Sequence, residues 1–128
     1  MLDLNDGFSA YKSTSVDAKA ASADIHKLVL MLFDGFSDEL ERVTGHIKQK
    51  RHDKKAESIE KLMRILGGLE ASLDLEKGGE VAQNMQNIYQ HCGQALLQAS
   101  IKNDLSYIDS TRVVMNNLQE GWQGLGTQ

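Results

Sequence analysis

The sequence predicts an all-α fold, an antiparallel up-and-down four-helix bundle with a flexible N-terminal arm. Three observations lead there. The 128 residues contain no proline, so no position obliges a helix to break. β-branched residues are scattered rather than gathered into the alternating runs of strands. Apolar residues recur at steps of three and four through four long segments, which short polar stretches separate.

Residues 1–20 are the arm. Phe8 and Tyr11 are its only aromatic residues, set among small and polar ones, and such a segment cannot bury enough surface to fold alone. It is expected to be mobile or laid onto the bundle. Residues 21–128 are expected to form a single domain, because a chain of this length builds one core.

The first helix contains LVLMLFDG, residues 28–35, whose closing Asp-Gly is a common hairpin signal. The period overrules it: Ile25, Leu28, Val29, Leu32, Phe33, Phe36, Leu40, Val43 and Ile47 continue across the pair. Gly35 therefore lies inside the helix, at about 1 kcal/mol relative to alanine. Asp24 is placed to cap the N-terminus. A second stripe runs through Ala56, Ile59, Leu62, Met63, Leu66, Leu69 and Leu73, and Gly67-Gly68 interrupts its composition but not its period. A third runs through Val81, Met85, Ile88, Tyr89, Cys92, Leu96 and Ala99. The fourth, less regular, holds Leu105, Ile108, Met115, Leu118 and Trp122. The breaks are expected at 48–55, 74–80 and 100–104, with Gly78-Gly79 in the second as a helix–helix turn. Connections this short join antiparallel neighbours, and helices of roughly 20 residues are about 30 Å long.

Composition narrows the function. No run approaches the roughly 18–20 apolar residues of a membrane span, and MLDLNDGFSAYK lacks the basic flank and hydrophobic stretch of a signal peptide. No membrane insertion is expected, and a cytoplasmic location is. Cys92, the single cysteine, fits a reducing compartment and falls on an apolar stripe, as a small core residue does. A net charge of −4 gives no electrostatic reason to bind nucleic acid. The basic run KQKRHDKK, residues 48–55, has no aromatic residue to stack a base and reads as a solvated interhelical loop.

Catalysis has no positive signal. No acidic residue stands three positions before His26, His46, His52 or His91, as a di-metal bundle requires, and no Cys-x-x-Cys or His-x-x-x-His occurs. Neither glycine pair has phosphate-loop spacing, and no nucleophile elbow is present. No enzyme activity, cofactor or metal is expected. Tyr89 and Trp122 read as core residues with their polar edges at the rim.

One feature exceeds what a core needs. Leu30 and Met31 project away from the first helix's apolar stripe, as do Ile65 on the second, Leu97 and Ile101 on the third and Val113 on the fourth. Together they suit grooves that accept another chain's apolar helix faces, and methionine suits an adaptable surface. An irregular bundle and a homodimer interface account for the same residues.

The segments SADIHKLVLMLFDG, LEASLDLEKGGEVAQNMQNIYQHC, ALLQASIKND and the late EGW, in this order and spacing, resemble the FliS family of flagellin-specific secretion chaperones. The resemblance covers about residues 7–122, and its most specific block runs from Leu73-Asp74 through Gly78-Gly79-Glu80 and Asn84 to Tyr89. Gly7-Phe8-Ser9-Ala10-Tyr11 is similar to the family's arm. The chain departs where the family usually reads Thr-Ala-Ser-Pro and Ser22-Ala23-Asp24-Ile25 stands instead. The resemblance implies a cytoplasmic chaperone that binds the C-terminal segment of flagellin, blocks premature polymerisation, and presents the client to the cytoplasmic domain of the flagellar export gate. It also implies an arm, with Phe8 and Tyr11 as its candidates, that covers part of the binding surface in the absence of client. The competing expectations are a histidine phosphotransfer bundle, using His26 or His91, and a self-associating structural bundle.

Overall fold

Four helices follow one another with very short breaks: α1 (Ala18–Lys48), α2 (His52–Ala71), α3 (Leu75–Lys102) and α4 (Leu105–Gly126). The structure, a computed structural model, describes residues 18–126, and side-chain surroundings for 24–125. α1 packs on α2 and α4, and α3 packs on the same two helices, so the four close a ring in chain order, as expected of an up-and-down bundle. Among the described residues there is no strand.

The core is built from the predicted stripes. Val29, Phe33, Phe36, Leu40 and Val43 of α1 meet Leu62, Leu66 and Leu69 of α2, Tyr89, Cys92 and Leu96 of α3, and Ile108 and Met115 of α4. Gly35 lies within α1, and Gly67 and Gly68 lie within α2. The helix starts differ from expectation. α1 is already helical at Ala18, so Asp24 lies inside it and caps nothing. Ala18-Lys19-Ala20-Ala21 are strong helix formers and carry the helix past the aspartate.

The breaks are shorter than the polar stretches because the chain itself caps each end. α1 stops in a Schellman turn: Lys50 takes a left-handed φ of 58°, the Arg51 amide donates to the His46 carbonyl at 2.9 Å, and the Lys50 amide donates to Ile47 at 3.2 Å. Most of the basic run therefore belongs to helix, with His52 opening α2. Between α2 and α3 the chain turns at 72–74, earlier than expected. Asp74 accepts the Lys77 amide at 3.0 Å and starts α3 ahead of the glycine pair. The expected break at Gly78-Gly79 is reduced to a kink: Gly79, with φ 56° and ψ −133°, is the one non-helical residue between the short opening turn of α3 and its long remainder. At the other end of α3, Asn103 takes the left-handed cap position with φ 52°. Lys55 of α2 donates to the Ser100 carbonyl at 2.7 Å and to Asn103 Oδ1 at 2.9 Å. Asp104 accepts the Ser106 amide at 2.9 Å at the start of α4, and the Ser106 amide and hydroxyl hold its carboxyl below the usual carboxylate range.

One carboxylate is buried between α1 and α2. Glu39 accepts the Ser58 hydroxyl at 2.6 Å and Arg42 Nη1 at 2.9 Å, and Lys61 Nζ lies 3.3 Å away. Burial alone pushes this carboxyl up, but the hydrogen bonds from Ser58, Arg42 and Lys61 outweigh it and leave the group below its ordinary value.

Candidate functional site

The site forms at the end of the bundle where α1 and α3 begin and α4 finishes. There a cavity of about 220 Å³ is lined by Val29 of α1, Leu73 of the α2–α3 turn, Val81, Met85 and Tyr89 of α3, and Trp122 of α4. The glycine pair shapes its wall. A Cβ on Gly78 would meet the Ala82 Cβ at 2.6 Å, so only glycine lets the first turn of α3 sit this close. Gly79 supplies the positive φ that redirects the helix immediately before Val81.

Trp122 is fixed on the opposite wall. Its indole Nε1 donates to the His26 carbonyl at 3.1 Å, and its ring stacks on the His26 imidazole with centroids 5.1 Å apart. Tyr89 is buried at the floor, where burial, with a smaller contribution from Cys92, pushes its phenol well above the usual range. Burial likewise pushes the Cys92 thiol up to about 11, which suits a core residue and not a nucleophile.

The chemistry available here is the burial of apolar surface. Only Ser72 and Asp74 bring side-chain polar groups to the rim, and the volume is below the roughly 300–1,000 Å³ of a small-molecule pocket. Among the described residues no group of three His, Cys, Asp or Glu could hold a metal ion, and no helix is long and apolar enough to cross a membrane. The groove has room for one or two apolar side chains projecting from another segment.

The residues singled out by helical angle fare unequally. Met31 is 67% exposed, Ile101 74% and Val113 60%, and Leu97 is exposed as well. Leu30 is half-buried. Ile65 is a correction: it is only 6% exposed, within the core, with its δ-methyl over Gly35 of α1. The glycine lacks the side chain that would have held α2 further away, so the buried face of α2 is wider than its stripe implies. Phe8 and Tyr11 lie outside the described residues. Leu97 and Ile101 stand one turn apart near the end of α3, whereas Met31 lies near the middle of α1, the helix diagonally opposite. They form no single patch.

Sequence reasoning placed Leu73, Val81, Met85 and Trp122 on core stripes, yet they line the open groove, and Val81 is 70% exposed. The available signal was Gly78-Gly79, which marks where the regular part of α3 begins and so places Val81 at the open end of its stripe. Of the two histidines considered for phosphotransfer, His26 is half-buried against Trp122 and His91 is exposed on α3.

The sequence model for the flagellar protein FliS family matches residues 7–128. The chain is 37% identical over 118 residues to the flagellar secretion chaperone FliS of Salmonella typhimurium, covering 91% of this chain and 87% of the relative. It is 33% identical over 118 residues to the Escherichia coli K12 chaperone of that name, with the same coverage of 91% and 87%. It is 30% identical over 115 residues to the flagellar secretion chaperone FliSB of Pseudomonas aeruginosa, covering 90% of this chain and 91% of the relative.

Proposed function

The chain belongs to the FliS family of flagellar secretion chaperones, and from that premise we propose that it is a cytoplasmic, non-enzymatic export chaperone for flagellin. It binds the disordered C-terminal segment of the client, keeps that segment from polymerising early, and presents it to the cytoplasmic domain of the flagellar export gate. The observation that carries this reading is the open apolar groove walled by Val81, Met85 and Trp122. A flagellin terminus without its filament neighbours has apolar faces it cannot bury alone, and a groove of this kind takes projecting side chains from a segment that folds as it binds.

The outward apolar residues Met31, Leu97, Ile101 and Val113, with Leu30 half-buried beside Met31, extend the contact along the helices. In this reading the client wraps the bundle, touching residues that form no single patch. Residues 1–20 act as an arm on a single domain, 21–128, and Phe8 and Tyr11 cover part of the apolar surface until a client displaces them. The same faces suit a homodimer of the client-free chain. No nucleotide or metal is needed, because capture and release are exchanges of apolar contacts.

The test is isothermal titration with a peptide covering roughly the last 40 residues of a flagellin from the same cell, with circular dichroism on the mixture. Tight one-to-one binding, a strongly negative heat-capacity change and helix beyond the sum of the parts are expected, as for coupled folding that buries about 1,000–3,000 Å². Alanine at Met31, Ile101 or Val113 should weaken binding and leave the melting temperature unchanged. A soluble, unfolded peptide that does not bind would overturn the reading.

A further inference from the structure

The two ends of the bundle differ sharply in charge. Residues 42–64, the end of α1 and most of α2, carry eight Lys or Arg against three Asp or Glu, whereas the rest of the chain carries six against fifteen. Four of the eight, Arg42, Arg51, Lys54 and Lys61, join His46 in lining a cavity of about 430 Å³ between α1 and α2, over a floor of Glu39 and Ser58, with Glu57 also at its edge. We propose that this groove docks an acidic segment of a second protein, one presenting several Asp or Glu side chains along one face.

Three features support that occupant. Glu39 is fully engaged by Ser58, Arg42 and Lys61, so it orients two of the cations and leaves the groove net positive. Among the described residues Arg51 and Lys54 have no acidic partner; Arg51 spends its donors on His46 Nδ1, at 3.0 Å, and on Gln49 Oε1. The walls are also already fixed, by the Schellman turn that sets Arg51 and by Lys55 bound to the end of α3. Cations held in place lose less freedom on binding than free surface lysines do.

The other anionic partners fit less well. A nucleic acid would meet an acidic molecule over the remaining surface and find no aromatic ring in the groove to stack a base. A lipid surface would find no apolar residue in the lining to insert beside the charges. The groove also lies at the opposite end of the bundle from the apolar cavity, so both can be occupied together.

The probe is an acetylated, amidated peptide of alternating glutamate and alanine, with the glutamine–alanine peptide as its uncharged counterpart, titrated into the full chain and followed by 15N amide shifts. The glutamate peptide should move the amides of Arg42, His46, Arg51, Lys54 and Lys61, the glutamine peptide should not, and binding should weaken steeply from about 50 to about 300 mM salt. Lys54→Glu, at an exposed and unpartnered position, should weaken binding several-fold, and R51E with K54E by about tenfold or more. Lys77→Glu, at the other end of the bundle, should leave it unchanged. Equal binding of the glutamine peptide, shifts mapping elsewhere, or full affinity in the double variant would overturn the proposal. So would inorganic phosphate competing as well as the peptide, or tighter binding to single-stranded DNA or to phosphatidylserine vesicles.

Discussion

Replacing Ser58 by alanine tests what holds α1 to α2. The hydroxyl donates at 2.6 Å to the buried Glu39 carboxylate, and the substitution removes that donor without making a large cavity. A hydrogen bond to a charged group contributes about 1.5–3 kcal/mol. Arg42 and Lys61 cannot substitute for it, because their side chains are 56% and 55% exposed and such pairs contribute only about 0.2–1 kcal/mol each. The expected loss at neutral pH is about 2 kcal/mol, a fall in melting temperature of roughly 8 °C.

The pH dependence has a definite sign. Glu39 titrates lower in the fold than in the unfolded chain, so its ionised form contributes stability at neutral pH. That contribution disappears as pH falls through the folded value. Urea unfolding at pH 7 and at a pH below the folded Glu39 value should therefore show the S58A loss shrinking toward the roughly 1 kcal/mol of a neutral hydrogen bond. Pairing S58A with Glu39→Leu should restore part of the loss, since two apolar groups leave neither partner stranded. An equal loss at both pH values, or a double variant as damaged as the sum of the singles, would refute this account of the network.

Three further outcomes are expected. Gly79→Ala must place a side chain at φ 56° and ψ −133°, backbone essentially reserved to glycine, costing about 1–3 kcal/mol in thermal unfolding and lowering client affinity through the displaced wall of the groove. Lys50→Gly, at the left-handed position of the Schellman turn, should raise stability by up to about 1 kcal/mol in urea titration. Trp122 is the only tryptophan and stands half-exposed on the groove wall, so client should shift its emission to the blue; unchanged emission at saturation would place the client elsewhere.

The fold was legible because each helix carries one strong periodic stripe and the breaks are polar. Local capping was less legible. Asp24 is a good cap by residue type, but the alanine-rich residues before it extend the helix past the position. Lys50 gives no sign in sequence of taking the conformation usually left to glycine. The site was harder still, since helical angle separates inside from outside only while a helix is straight and its neighbours have ordinary side chains. Ile65 fails the second condition, lying over Gly35, whereas Val81 keeps its register with Met85 and Tyr89 but stands at the end of the stripe, where that face opens onto the groove. Helical angle tells which face a residue is on, not whether a neighbouring helix approaches closely enough, or reaches far enough, to cover it.

A chaperone for an apolar segment has to expose apolar surface without associating through it. Among the described residues the most exposed large apolar ones, Met31, Val81, Ile101, Val113 and Leu125, are spread over α1, α3 and α4, so solvent meets them mostly one at a time. Isolated apolar residues of this kind are ordinary on a soluble surface, whereas a contiguous patch of several hundred Å² invites association. A client that wraps several helices can collect these contacts, while a rigid second copy of the bundle meets only a few of them. Such a design also limits affinity in a useful way. Each contact contributes little, and ordering the client costs roughly 2–5 kcal/mol, so loss of a few contacts at one end lets the segment peel away. Under the proposed function, capture and release follow from competition for the same apolar side chains.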